Sequence, residues 1–224
     1  MVDERYSGLR RQLERLGERL VAGWKVGLTS GRGRDSMGVG FRPFGFILND
    51  RCFQSGDSIG LVDVPNAEVE TELCFRFKTD LCPNASKDDV LGSIAGVAPA
   101  FEIIQLRLGP EATLGDRLAD GLSHWGIVVG LERTLDWRHF DFNGLAVTLK
   151  RNGMEVESVA AAGHMDDHFR SIAAMSSTLA KFDRQILTGN RVITGSYTRQ
   201  PVGGVGIWQG DFGEDLGVVE VEFA

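Results

Sequence analysis

Residues 67–78 alternate with a strict period of two, and this stretch constrains the fold more than any other. Val69, Thr71, Leu73, Phe75 and Phe77 fall on one face; Glu68, Glu70, Glu72, Cys74 and Arg76 fall on the other. Such a segment is a β-strand with one face against an apolar core. The same texture recurs along the chain, and residues 44–48, 99–108, 126–130, 192–194, 203–208 and 217–223 read as further strands. Residues 147–150 and 154–159 flank Asn152-Gly153, the pair favoured where a two-residue hairpin turn needs positive φ twice.

Only two segments carry a firm helical period. Leu9, Leu13, Leu16 and Leu20 make a leucine stripe, with Arg and Glu on the other faces. Phe169, Ile172, Met175 or Ser176, Leu179 and Phe182 trace a second stripe, which Asp166 or Asp167 caps. Residues 30–40 are glycine-rich and aperiodic, which predicts a mobile loop that closes over a substrate. Many strands with few helices predict an α+β fold on a β-rich core. One domain is expected over residues 1–224, with an amphipathic helix in 1–22 packed on that core.

Composition narrows the function. Lys plus Arg number 24 against 31 Asp plus Glu, a formal charge of −7 with no long basic run, so nucleic acid is not an expected partner. No stretch approaches the roughly 18 apolar residues of a membrane span, and the charged N-terminus lacks a secretory core. Three cysteines without a C-x-x-C pair read as reduced thiols. The expectation is a soluble cytoplasmic protein.

The chemistry-bearing residues begin with Glu70 and Glu72. Two apart on a strand, they point the same way and are separated by roughly 6.5 Å along the chain. They could converge on one hard divalent cation, or simply face solvent. Glu102 shares its face with Ile104, Leu106 and Leu108, so its carboxylate needs a proton, a base or a metal; Arg76 and Arg107 are the alternative partners. Lys25 sits between Trp24 and Val26; partial desolvation would lower its pKa and suit it to acid or base work. His164 and His168 are four apart, but H-E-x-x-H is absent, and His124 and His139 show no partner. Serine-hydrolase and phosphate-loop motifs are also missing. Arg32, Arg34 and Arg42 either offer a fork to a second substrate carboxylate or are solvated loop residues.

Taken together, Lys25-Val-Gly-Leu-Thr-Ser30, Met37-Gly-Val39, Phe44-Gly-Phe-Ile-Leu-Asn-Asp50, Val69-Glu-Thr-Glu-Leu-Cys-Phe75 and Pro99-Ala-Phe-Glu-Ile103 resemble the 2-keto-4-pentenoate hydratase / 4-oxalocrotonate decarboxylase group of the fumarylacetoacetate hydrolase superfamily. Ala119-Asp120 with Ser123, Gly163-His164 and Thr194-Gly195 follow in the expected order, and the likeness runs from about Val21 to the C-terminus. The resemblance implies a mixed β-sandwich roll with flanking helices and a site for Mg²⁺ or Mn²⁺ held by Glu70, Glu72 and Glu102. It implies Lys25 and Asp50, or Asn49 in its stead, as the catalytic pair, with Ser123, Thr194 and Gly195 binding substrate. The substrate class is a small 2-oxo or 2-hydroxy alkenoic acid from aromatic meta-cleavage. A homo-oligomer is expected, with room for a complex with a related pathway enzyme. The chain departs from its relatives at Asp120-Gly-Leu-Ser-His-Trp125, where they read D-N-A-S and then small residues, at Met165-Asp-Asp167, and at Ser196 to Pro201. An acylpyruvate-type C–C hydrolase and a non-catalytic subunit that keeps the fold are the rival readings.

Overall fold

The computed structural model describes residues 3–136 and 138–224, with the side chain of Arg32 outside the description. In chain order its elements are α1 (Glu4–Leu16), β1 (Val21–Val26), β2 (Phe44–Leu48), β3 (Cys52–Gln54), β4 (Ser58–Ile59), β5 (Ala67–Phe77), α2 (Lys87–Ser93), β6 (Ile94–Gln105), α3 (Leu114–Ala119) and β7 (His124–Val129). There follow β8 (Ala146–Arg151), β9 (Met154–Ala160), α4 (His168–Ala180), β10 (Arg191–Thr194), β11 (Arg199–Pro201), β12 (Gly206–Asp211) and β13 (Val218–Phe223).

The strands form two sheets. The larger has the order β2-β1-β10-β5-β6-β7-β3, with β11 added to β5; the smaller has the order β4-β13-β12-β8-β9. Most neighbours are antiparallel, and the β1–β10, β3–β7 and β4–β13 pairs are parallel. Both sheets and the helices share one apolar core, in which Gly210 of β12 lets the small sheet approach Thr71 and Phe101. β2 also comes back against β7, so the large sheet rolls on itself. This is the expected α+β roll.

The rolled sheet gives β5 and β6 two buried faces. Val69, Leu73, Phe75 and Phe77 face the shared core. Cys74, Ala98, Ala100, Ile127, Val129, Ile193 and Ile47 fill the inside of the roll as a second, smaller cluster. Glu70, Glu72 and Glu102 belong to that inner face and sit above it.

Several boundaries differ from the sequence reading. α1 stops at Leu16, where Gly17 adopts φ 58°, so Leu20 lies beyond the helix and is 75% exposed. β6 begins at Ile94, ahead of Pro99. The proline is tolerated because the regular ladder with β7 ends at the Ala100–Val129 pair, leaving Pro99 to accept one bond from Gly130 N–H (2.8 Å). Leu106 and Leu108 fall after the strand and are partly exposed. The hairpin is as expected, with φ 50° at Asn152 and 78° at Gly153.

α2 and α3 are two short helices that hydrophobic period did not reveal. Each carries a complete capping box, Ser86 with Asp89 and Thr113 with Asp116, and those S/T-x-x-D spacings were the available signal. The glycine-rich segment is tied down rather than loose. Ser30 bridges to Met165, Arg34 donates to the Gly163 and Met165 carbonyls, and buried Arg42 pairs with Asp35 and Asp166. Arg34 and Arg42 are thereby committed to the protein; the Arg32 side chain lies outside the described residues. No helix among the described residues is long and apolar enough to cross a membrane.

Candidate metal centre and active site

The register of two neighbouring strands assembles the acidic cluster. Glu70 on β5 lies directly across from Glu102 on β6, and Glu72 lies across from Ala100 on the same side. Period two on one strand and pairing across to the next therefore place three carboxylates together. One oxygen from each lies within 4.8 Å of the other two, and all three residues are buried. Lys25 approaches from β1. It faces Gly45 across the β1–β2 pair, where a Cβ would stand 3.5 Å from Lys25 Cδ and 3.3 Å from the Gly121 carbonyl oxygen. The ammonium donates to Glu102 Oε1 at 2.5 Å and to the Leu122 carbonyl at 3.4 Å.

Glu102 has a second partner. His124, the first residue of β7, sets Nδ1 2.7 Å from the same Oε1. Arg76 and Arg107, the partners suggested by sequence, are engaged elsewhere, with Glu132 and Asp120. On the other side Arg199 reaches Glu70 at 3.0 Å and Glu68 at 2.5 Å.

The electrostatics show a cluster short of positive charge. Burial first, then the Glu102 charge, pushes Glu70 up to about 7. Burial, then the charges of Glu102 and Glu70, pushes Glu72 well above the usual carboxylate range. Burial also opposes ionisation of Glu102, but the Lys25 charge and the His124 hydrogen bond outweigh it and hold Glu102 down. Lys25 corrects an expectation. Burial alone would lower its pKa, but the Glu102 and Glu70 carboxylates outweigh burial and raise it, so the side chain is a firm ammonium. Burial lowers His124, against the opposing pull of the Glu102 hydrogen bond and charge.

The donor set fits a hard divalent cation. Oε2 of Glu72 and Oε2 of Glu102 are buried without any hydrogen-bond partner among the described residues. An orphaned buried carboxylate oxygen is costly, and two of them beside a third carboxylate are satisfied together by one oxygen-seeking ion.

The cluster forms one wall of a cavity of about 440 Å³. Val26 to Ser30, Ser123, His164 and the segment from Ser196 to Arg199 complete the polar lining; Ile104, Leu106 and Leu122 supply an apolar side. Ser196 to Arg199 enter because the chain leaves β5 after β10 and rejoins it as β11, making a detour between the two. The Gly121-Leu122-Ser123 turn also enters, with φ of 69°, 56° and 66°. Left-handed backbone at Leu122 and Ser123 costs roughly 1–3 kcal/mol at each and is held by its surroundings.

Not every predicted site residue is brought here. Lys25, Glu70, Glu72, Glu102 and Ser123 meet in the cavity. Asp50 does not: it lies exposed in the Asn49–Arg51 turn and lines a separate cavity of about 270 Å³ with Gln12, Arg15 and Arg107. The resemblance set it beside Lys25, but β2 pairs Lys25 with Gly45 and runs on past Val21 before the turn that holds Asp50. Thr194 and Gly195 are buried behind the wall, where Gly195 packs against Met165 and His168, and the lining begins at Ser196. His164 lies in the turn before α4 and lines the cavity, whereas His168 is buried against Phe75, Phe142 and Tyr197, so the two do not act as a pair. Arg199 and Arg117 are lining residues that the sequence reading missed. Nothing local marks them, since they reach the cavity only through β11 and α3.

No protein-family model matches the chain. The 2-hydroxyhexa-2,4-dienoate hydratase of Comamonas testosteroni is 28% identical over 190 residues, 83% of this chain and 71% of that protein. The structure of 4-oxalocrotonate decarboxylase from Pseudomonas putida G7, complexed with magnesium and adipate, superposes with a TM-score of 0.82 at 26% identity, covering 96% of this chain and 82% of that one. A proposed member of the fumarylacetoacetate hydrolase family from Yersinia pestis CO92 shares the fold, with a TM-score of 0.66 at 17% identity over 92% of this chain and 94% of that one. The chain is thus similar to the 2-keto-4-pentenoate hydratases and 4-oxalocrotonate decarboxylases, and it has a fold of the fumarylacetoacetate hydrolase type.

Proposed function

We propose that this chain is a metal-dependent lyase acting on small 2-oxo or 2-hydroxy alkenoic acids, as a hydratase or a decarboxylase. The observation that carries the reading is the buried triad of Glu70, Glu72 and Glu102, with two unpaired oxygens and an ammonium at its side. Held by these three glutamates, Mg²⁺ or Mn²⁺ would supply a Lewis acid that turns a 2-oxo acid into an electron sink.

The chain's own residues do the rest. Lys25 Nζ, kept protonated by its carboxylate neighbours, is positioned to give a proton rather than to take one. Hydration adds H and OH of one water across a conjugated double bond; decarboxylation breaks a C–C bond, releases carbon dioxide and puts a proton on the carbon left behind. Both outcomes need a proton donor beside the same electron sink, so one site serves either. Ile104, Leu106 and Leu122 keep bulk water from one side of the substrate. Arg199 and Arg117 bring positive charge to the lining for a carboxylate. Among these residues no counterpart to Asp50 emerges as a second proton-handling group.

A hydrolase of the acylpyruvate type finds less support. His164 and Glu157 both line the cavity, but His164 Nε2 is bonded to the Ser196 carbonyl and Glu157 accepts from Arg199 and Gln200. Assembly into a homo-oligomer belongs to the same proposal. Edge strand β9 leaves Met154 and Val156 exposed and offers a second copy an unpaired backbone, and light scattering would give the assembly's mass.

The test is to assay purified protein on 2-hydroxypenta-2,4-dienoate and on 4-oxalocrotonate, with Mg²⁺, Mn²⁺ and chelator in turn, following the dienol chromophore and released carbon dioxide separately. Turnover of one or both that chelator abolishes and metal restores supports the reading. Inactivity on both, or activity indifferent to chelator, contradicts it.

A further inference from the structure

The fold goes to some length to aim His124 at the acidic cluster. The β6–β7 register shifts between Ile103 and Ile104, so His124 pairs with Ile104 after Ile103 has paired with Gly126. Immediately before it run the three left-handed residues Gly121, Leu122 and Ser123. A ladder irregularity of this kind re-aims the adjoining side chain, and here the ring turns toward Glu102. The side chain is 5% exposed, its Nδ1 lies 2.7 Å from Glu102 Oε1, and its Nε2 is buried without a partner among the described residues.

We propose that His124 is a positioning residue for Glu102. This rests on the metal-dependent reading above. Oε1 of Glu102 takes two donors at once, Lys25 Nζ and His124 Nδ1. Both lone-pair directions of that oxygen are thereby used within the protein, and the carboxylate plane is pinned by two contacts from different strands. Oε2 is left as the oxygen available to an ion: it is buried with no partner among the described residues, and Glu102 clusters with Glu70 and Glu72. Lys25 alone, on a flexible stem, fixes one point of that plane; the rigid imidazole fixes the rotation. His124 is absent from the lining of the cavity that holds Glu102 and borders instead the separate cavity that takes in Asp50 and Arg107, so it reaches the acidic cluster through Glu102. Partners that orient a ligand in this way are generally worth 10- to 100-fold in metal affinity.

The test compares His124→Asn with His124→Leu. The two side chains have nearly the same size and shape, and only asparagine keeps a donor near the place of Nδ1. Mn²⁺ binding to purified protein is measured from the electron paramagnetic resonance signal of the free ion, with metal-free thermal unfolding recorded for each variant. The expected result is a 10- to 100-fold weaker Mn²⁺ dissociation constant for His124→Leu, binding by His124→Asn within a few-fold of the parent, and similar metal-free unfolding for both. Equal binding by both variants, whether at the parent's level or equally weakened, overturns the role. If the parent itself binds no Mn²⁺, the metal reading fails first and this inference with it; if the parent binds and Glu102→Gln does not, while His124→Leu matches the parent, only the inference falls.

Discussion

The two faces of the β5–β6 pair are both buried, yet they obey different rules. Toward the small sheet stand Val69, Leu73, Phe75 and Phe101, all without exposed surface and without polar atoms to satisfy. Burial alone explains that face, at about 25 cal/mol for each Å² of apolar surface removed from water. Toward the inside of the roll stand Glu70, Glu72 and Glu102, also buried, with Lys25 as their buried cation and half-exposed Arg199 at the edge. Nothing in folding energetics favours that second arrangement. Glu70 and Glu72 are pushed toward the protonated form, and two of the cluster's oxygens lack partners among the described residues, which is the cost expected of a site shaped for something it binds.

The sharpest way to break this contrast is Glu72→Gln. Among the described residues Glu72 has no ion-pair partner of its own, so removing its charge should lower metal-dependent turnover by about 10³-fold or more, the scale of a lost Lewis acid, while metal-free unfolding at pH 8 stays level or moves up. Steady-state kinetics beside thermal denaturation reads both, and a variant that keeps turnover or unfolds far earlier denies the distinction. Lys25→Met comes next. Loss of the proton donor should cost roughly 10²- to 10⁴-fold in kcat, with Mn²⁺ still bound. Metal loss in that variant would make Lys25 a structural counter-ion instead.

On the apolar face the expectation reverses. Phe101→Ala should cost about 3–5 kcal/mol in urea unfolding and leave KM and metal affinity in the surviving folded protein near those of the parent. The smallest effect concerns pH. Glu70 binds its proton up to about 7 in the fold but releases it near 4.5 when unfolded, so metal-free protein should lose stability as pH rises between those values. The scale is on the order of 3 kcal/mol, with Glu72 acting in the same direction. Added Mg²⁺ or Mn²⁺ should therefore raise the unfolding temperature more at pH 8 than at pH 5, and an equal rise at both would contradict the charge-deficient picture.

What the sequence made legible, and what it hid, follows the range of the interactions. β5, the Asn152-Gly153 hairpin and α4 declare themselves because alternation, turn chemistry and helical period are local. Glu102 was legible as a buried acid on an apolar strand, although its partners were not. Those partners, Lys25 and His124, come from strands 77 and 22 residues away, and the second depends on a register shift that no pattern records. Asp50, paired with Lys25 by resemblance alone, lies in a turn on the other cavity, and no local pattern says which side of a rolled sheet a turn will face. The short helices α2 and α3 carried capping boxes but too few residues for a hydrophobic period, and α3 brings Arg117 to the cavity.

The most direct test of the account is anomalous scattering from crystals grown with Mn²⁺. A single strong peak among the carboxylates of Glu70, Glu72 and Glu102 is the result the account predicts. Manganese bound elsewhere, with those three side chains left uncoordinated or drawn apart, would contradict it.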